Sequence, residues 1–367
     1  MSEQKRLLSL DVFRGMTIAA MVLVNNPGNG NAVYSQLDHA EWNGWTPTDF
    51  IFPFFVFILG VAIPIALGKR VENGDVDGQL YLKIFKRTLV IFGLGLLIAL
   101  FPKFDFEHLR IMGVLQRLAL CYFFGSIIFL HTNWKEQAYI AAILLLGYWV
   151  IMLYGGNGDL TKEGSFAGYV DRLILTENHI WSVAKIFDPE GLLSTVPAIG
   201  TCLSGILCGT WLKTKRTDVE KVAGMFVFGV FLVAIGWVWD FFFPINKALW
   251  TSSYVVFMAG QALCILAACY WLIDIKGYVK WAKPFVIFGV NALALFVGSA
   301  MLARFMIYVF KWETNGVKMH LQKWIYETVF APLAAPINAS LMYALAYIGF
   351  WLFLMWLLYR KRIYIKV

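Results

Sequence analysis

Charge is scarce in this chain of 367 residues: Asp, Glu, Lys and Arg together make up 15%, against about 25% in an ordinary soluble domain. That shortage excludes a solvated surface of normal extent. Cysteine is also sparse. Cys121, Cys202, Cys208, Cys264 and Cys269 all fall inside apolar runs, form no CxxC pair and have no histidine at ligand spacing. Neither a disulfide framework nor a metal is expected. No GxSxG, P-loop, HExxH or kinase signature occurs, and residues 1–190 and 191–367 show no convincing internal repeat. The net charge of +8 does not indicate a nucleic-acid partner, because the Lys and Arg residues lie between apolar runs rather than on one soluble face.

What is present is apolar: 60% of residues are hydrophobic and 17% aromatic, with a mean hydropathy of +0.67. The solvent of such a chain is a bilayer, and an all-α polytopic membrane protein of about ten spans is expected. Apolar runs predict spans at Leu7–Asn25, Pro47–Gly68, Ile84–Phe101, Ile111–His131 and Gln137–Tyr154. A second set falls at Gly191–Leu212, Val222–Phe243, Ser252–Ile273, Pro284–Phe310 and Pro336–Leu358. Ten spans leave no room for a large soluble domain, so residues 1–367 read as one transmembrane domain. Lys and Arg number seventeen on the side holding both ends of the chain and nine on the other. The positive-inside rule therefore places both termini in the cytoplasm. The outward connections are then 26–46, 102–110, 155–190, 244–251 and 311–335. The first span follows a basic start, and Asn25-Asn26-Pro27-Gly28 offers no small-x-small cleavage site, so it is expected to remain as an anchor.

An ionisable side chain near the bilayer centre costs at least about 2.5 to 3.5 kcal/mol, so those inside spans need a partner or a task. Asp11 and Arg14 are three apart and share a helix face. They read either as a plain ion pair or as half of a pocket for an anionic ligand. Arg117, beside Gln116 and close to Gly113, is expected to face the bundle interior. Asn291, Gln261, Asp240 and Arg304 are further polar residues in spans, with interhelical hydrogen bonding the simpler reading of Asn291 and Gln261. Snorkelling accounts for Lys86 and Arg87.

The densest polar cluster is His39-Ala40-Glu41-Trp42-Asn43-Gly44-Trp45-Thr46-Pro47-Thr48-Asp49, in an outward loop with no Lys or Arg. His39 is suited to accept a proton near neutrality, and Asp38, Glu41 or Asp49 could orient its ring. The bland alternative is a solvated surface histidine. Trp42 and Trp45 read as interfacial belt or as a platform for a sugar ring. Asp188 and Glu190, just before a span, are suited to cap its N-terminus.

Several ordered motifs carry a resemblance through essentially the whole chain. They are Leu10-Asp11-Val12-Phe13-Arg14-Gly15, Val24-Asn25, the His39–Gly44 run with Asp49, Arg110–Arg117, Gly168-Tyr169-Val170-Asp171-Arg172, Asp188-Pro189-Glu190-Gly191 and Asn246-Lys247-Ala248-Leu249-Trp250. At these positions the chain resembles the catalytic membrane domain of the heparan-α-glucosaminide N-acetyltransferase family and its bacterial relatives. The resemblance implies an enzyme that takes acetyl-CoA from the cytosol and acetylates an amino sugar or glycan beyond the membrane. A relative of the bacterial members would sit in the inner membrane; the cysteine and histidine pattern gives no metal, and the Trp- and Phe-rich spans could face membrane lipid or form a homodimer interface. On that reading His39, Asn25 and Asp49 carry the chemistry, and Asp11, Arg14, Arg117 and Asn291 hold the donor, helped by Lys69, Arg70 or Lys283. Glu41, Trp42, Asn43, Asp188, Glu190, Asn246 and Trp250 then bind the acceptor. His39 serves as general base or as acetyl carrier. The alternatives are an amino-sugar transporter without chemistry, or an O-acetyltransferase of an envelope polysaccharide.

Overall fold

The computed structural model describes residues 7–314 and 317–365. Lys5, Arg6 and Lys366, which enter the topology count, lie outside the described residues, as do 315 and 316 of the fifth outward loop. The long helices are α1 (Leu8–Asn25), α2 (Ile51–Glu72), α3 (Gly78–Leu100), α4 (Val114–His131) and α5 (Trp134–Gly155). After the short α6 (Phe166–Leu175) come α7 (Thr195–Leu212), α8 (Asp218–Asp240) and α9 (Ser252–Tyr270). The chain continues through α10 (Lys283–Val290), α11 (Ala292–Arg304), the hairpin of β1 (Lys311–Thr314) and β2 (Val317–His320), α12 (Leu321–Ile325) and α13 (Pro336–Arg360).

Among the described residues, nine helices are long and apolar enough to cross a membrane. The expected third span, α3, is long but carries Lys83, Lys86 and Arg87. Its start precedes the expected Ile84 because Asp77 caps it, accepting from the Leu80 amide at 2.8 Å. The fourth span starts at Val114 rather than Ile111, since the Ile111 amide is drawn to the His179 carbonyl (3.0 Å). The expected Pro284–Phe310 helix is interrupted at Asn291, which separates α10 from α11. There the Asn291 side chain donates to the Ile363 carbonyl (3.1 Å) and accepts from the Ile365 amide (2.9 Å). Asn291 thus ties down the segment after α13.

Two helix crossings set the scaffold. A Cβ on Gly15 would strike the Phe285 carbonyl and one on Gly289 the Asp11 carbonyl, so α1 and α10 meet backbone to backbone. Gly60 and Gly205 bring α2 against α7 in the same way, opposite the Cys202 and Phe57 carbonyls. Small residues at such contacts let membrane helices pack closely. The connections after α1, α3, α5, α8 and α11 gather at one end of the bundle, as contacts such as Gly44 to Ile245 (2.7 Å) and Arg304 to Phe101 (3.2 Å) show. At the other end lie the start of α1 and the residues following α13, which share a cavity wall.

Candidate functional site

The first polar cluster is built by the loop before α2. Thr46 caps the short helical turn Pro47–Phe50, and Asp49 closes the box. Its Oδ2 accepts from the Thr46 amide (2.9 Å), the Ala40 amide (3.1 Å) and the Thr46 hydroxyl (3.2 Å). The Tyr254 hydroxyl donates to the Asp49 carbonyl oxygen (2.6 Å). With Oδ2 committed to the backbone, Oδ1 is left to meet His39 Nδ1 at 2.7 Å. Asp49 is 1% exposed and His39 50%, so a buried carboxylate holds a ring that faces outward. A carboxylate partner keeps the proton on Nδ1 and the lone pair on Nε2.

A lysine completes the cluster. Lys247 Nζ lies 2.9 Å from His39 Nδ1, 3.2 Å from Nε2 and 3.4 Å from Asp49 Oδ1. Because the Nδ1 proton points to Asp49, the acceptors available to this amine are Nε2 and the carboxylate. Lys247 belongs to the turn between α8 and α9, which is stitched to the His39 loop by Asn246 Nδ2 donating to Asn43 Oδ1 (3.1 Å). The turn is internally braced as well, with Asn246 Oδ1 accepting from the Leu249 amide (2.9 Å). Trp250 ends it at φ +52°, a left-handed conformation that is strained for a bulky residue. Burial pushes the Lys247 ammonium below the usual lysine value, against the pull of Asp49 and Glu190.

A second cluster adjoins this one. Arg110 binds Asp188 through Nε (2.9 Å) and Nη2 (2.5 Å) and reaches Glu190 with Nη2. Burial opposes ionisation of Glu190, but Arg110, Arg117 and Lys247 hold its carboxyl below the usual range. Arg110 is itself raised: burial works against its charge, and the two carboxylates outweigh that effect. Asp171, on α6, accepts from the Leu192 amide (2.8 Å) and the Asp188 amide (3.4 Å), shaping the turn that presents both acids. Burial raises the Asp171 carboxyl to about 6.

The remaining residues expected at this end take other places. Arg117 is fully buried beneath the second cluster, donating to Gly191 O (3.2 Å) and Ser194 Oγ, with its cation 4.9 Å from the Trp250 ring. Its Nε and Nη1 have no hydrogen-bond partner among the described residues. Trp250 is also fully buried and donates to Thr201 Oγ1 (3.2 Å), so it supports Arg117 and offers no accessible face. Trp42 donates to the Leu160 carbonyl (2.9 Å) and packs edge-on against Phe187. Glu41 and Asn25 are exposed, Asn25 as the last residue of α1. Asp188 and Glu190 do not cap α7, which starts only at Thr195; they face Arg110 instead.

At the other end of the bundle a cavity of about 600 Å³ opens between α1, α2, α3, α4 and α11. Asp11, Arg14 and Arg87 line it, with Tyr364 and Ile365 forming one wall. Arg14 Nη1 pairs with Asp11 Oδ1 (3.3 Å) and approaches the Gly289 carbonyl (3.4 Å). A neighbouring cavity of about 520 Å³ shares Leu59, Ala62 and Arg87 with it and adds Arg70, Lys83 and Lys86. Neither cavity includes Lys69, Lys283, Asn291 or Arg117 in its lining. Lys247, Arg110 and Asp171 join these clusters without standing out in the sequence as site residues, although all three lie in motifs that carry the resemblance. A further signal was available: Lys247 is the only cation in the short connection 241–251, facing a histidine loop that has none.

A family model described as "Heparan-alpha-glucosaminide N-acetyltransferase, catalytic" matches residues 6–236. Over 423 aligned residues the chain is 27% identical to heparan-alpha-glucosaminide N-acetyltransferase of Homo sapiens, covering 99% of this chain and 60% of that protein. The Mus musculus protein of the same name is 27% identical over 427 residues, with 100% and 61% covered. The chain therefore spans about 60% of the length of the curated relatives it matches.

Proposed function

Because the chain belongs to the heparan-alpha-glucosaminide N-acetyltransferase catalytic family, we propose that it is a membrane acetyltransferase moving an acetyl group from acetyl-CoA to the amine of a glucosamine-type sugar. The donor enters the cavity lined by Arg14 and Arg87, which would hold its phosphates with Arg70, Lys83 and Lys86 nearby. The acceptor meets it at the opposite end, beside His39. Along α2 the donor cavity reaches Phe55, six residues beyond Asp49, a rise of about 9 Å at 1.5 Å per residue. The extended arm of coenzyme A covers that interval.

A protonated sugar amine cannot attack a carbonyl, so a base must take a proton from it. His39 does so through Nε2, with Asp49 holding the tautomer and stabilising the imidazolium that forms. In the direct route the nitrogen attacks the thioester carbon, the C–N bond forms, the C–S bond breaks and the thiolate leaves; of the two protons the nitrogen sheds through His39, one goes to the thiolate and the other to solvent. In the two-step route Nε2 carries the acetyl group first. Asn25, at the same end of the bundle, is the proposed hydrogen-bond donor to the developing oxyanion. Glu190 and Asp188 supply negative charge near the sugar, moderated by Arg110, with Glu41, Asn43 and Asn246 at the rim.

The observation that carries this reading is the His39–Asp49 pair, with its half-exposed imidazole, on a bundle whose opposite end opens into cation-lined cavities. The test is acetyl transfer from acetyl-CoA to glucosamine by purified protein in proteoliposomes. His39→Ala is expected to lower turnover by about 10²- to 10⁴-fold, the usual contribution of a positioned base. Turnover close to wild type would remove His39 from the chemistry, and an inactive wild type would remove the function itself.

A further inference from the structure

The acetyl acceptor in this reaction is a primary amine, and the structure already holds one at the candidate base. Lys247 Nζ stands 2.9 Å from His39 Nδ1, 3.2 Å from Nε2 and 3.4 Å from Asp49 Oδ1, against the imidazole that would take the proton of an acceptor nitrogen. The side chain is 20% exposed, and the turn that bears it is fixed by the Asn246–Asn43 bond and by the buried Trp250. We propose that Lys247 is a self-acetylation site: its ε-amine occupies the acceptor position when no sugar is bound and competes with the sugar for the acetyl group. This inference rests on the acetyl-transfer reading above.

The step balances with acetyl-CoA as the only co-reactant. The neutral Nζ attacks the thioester carbon, the C–N bond forms and the C–S bond breaks. The thiolate departs as coenzyme A, and the proton shed by nitrogen passes to His39 Nε2 and from there to the thiolate. If Nε2 carries the acetyl group first, the same amine stands 3.2 Å from that nitrogen. Burial favours the neutral, nucleophilic amine, while Asp49 and Glu190 favour the ammonium, so the lysine is restrained without being silenced. Acetylation converts the amine into an uncharged amide and removes the cation beside His39 and Asp49.

The full chain in proteoliposomes, incubated with acetyl-CoA in the absence of sugar, tests this by peptide mass mapping. Lys162 and Lys185, both exposed, report background acetylation. Lys247 is expected to gain its acetyl group at least about tenfold faster than either, the least that fixed proximity to the transferred group should give. Added glucosamine is expected to slow that gain, and His39→Ala to bring Lys247 down to background. The wild-type comparison stands even where the variant fails to fold. If Lys247 is modified no faster than Lys162 and Lys185, or equally fast with glucosamine present, while the same preparation acetylates glucosamine, this inference falls alone. If neither amine is acetylated, it falls together with the proposed function.

Discussion

Both oxygens of Asp49 are committed, and the commitment makes the residue hard to replace. Oδ2 accepts backbone N–H groups from Ala40 and Thr46 while Oδ1 accepts from His39. In Asp49→Asn the amide oxygen keeps the backbone bonds, so the NH₂ group must turn toward the ring. Nδ1 then becomes the acceptor and the proton moves to Nε2, which can no longer act as base. Turnover is expected to fall by about 10³- to 10⁴-fold, as happens when a triad aspartate is amidated elsewhere, with the thermal midpoint checking that the fold survives. Asp171 gives a pH prediction. Its carboxyl stands at about 6 against an ordinary value of 3.8, so folding favours the protonated form. The stabilisation is complete below pH 3.8 and is lost as pH rises through about 6. A rise of about two units corresponds to roughly 3 kcal/mol. Asp171→Asn cannot ionise, so its stability relative to wild type is expected to improve by up to that amount as pH is raised across this range. A difference in unfolding midpoint that is flat with pH would show that Asp171 does not titrate there.

At the scale of elements, glycines decide how closely the helices cross. Gly15 and Gly289 let α1 touch α10, and the same crossing places Arg14 beside the Gly289 carbonyl. The glycine that ends the Asp11–Gly15 motif thus has a packing reason independent of the charges before it. Gly60 and Gly205 serve α2 and α7, and α2 begins two residues after Asp49. Gly205→Val inserts three carbons against the Phe57 carbonyl and is expected to destabilise by about 1 to 3 kcal/mol or more. The check is detergent-solubilised thermal unfolding, set beside Gly147→Val on α5, where a Cβ meets nothing within 4 Å. Equal losses from the two substitutions would contradict this account of the crossing. The turn before α9 works similarly: Trp250 sits in a strained conformation held by the Arg117 cation over its ring and by edge-on contacts with Phe52 and Tyr254, and that turn delivers Lys247.

On the scale of the whole molecule, two sites of unlike chemistry lie at opposite ends of one bundle. One end offers cavities lined by Arg14, Arg70, Lys83, Lys86 and Arg87; the other gathers His39, Asp49, Asp188 and Glu190 around Lys247 and Arg110. On the proposed reading a multiply anionic donor would be attracted to the first end, and the attraction would weaken with salt, since the screening length is about 10 Å at 0.1 M. Arg87→Glu with Arg70→Glu is expected to raise the KM for acetyl-CoA by about tenfold or more, for about 1.4 kcal/mol or more of lost interaction, with a smaller effect on the KM for the sugar. In oriented proteoliposomes, acetyl-CoA supplied only to the face bearing Arg360 to Arg362 should suffice. A requirement for donor on the His39 face would reverse the proposed arrangement.

The amino-acid sequence alone determined what periodicity and composition control. Apolar runs located most of the long helices to within about four residues, missing the early start of α3 and the break at Asn291, and the three-residue spacing of Asp11 and Arg14 identified their pairing. The ten-residue interval from His39 to Asp49 was legible because loop and helix start are neighbours in the chain. Tertiary structure decided what depends on distant segments meeting. His39 and Lys247 are separated by 208 positions and Arg110 and Asp188 by 78, and no local pattern encodes such encounters. The same cause redirected Arg117 and Trp250 to each other, and Asn291 to residues 363–365. A buried polar group takes whatever partner the folded chain brings within hydrogen-bond range, and that partner is fixed by helix packing rather than by sequence proximity.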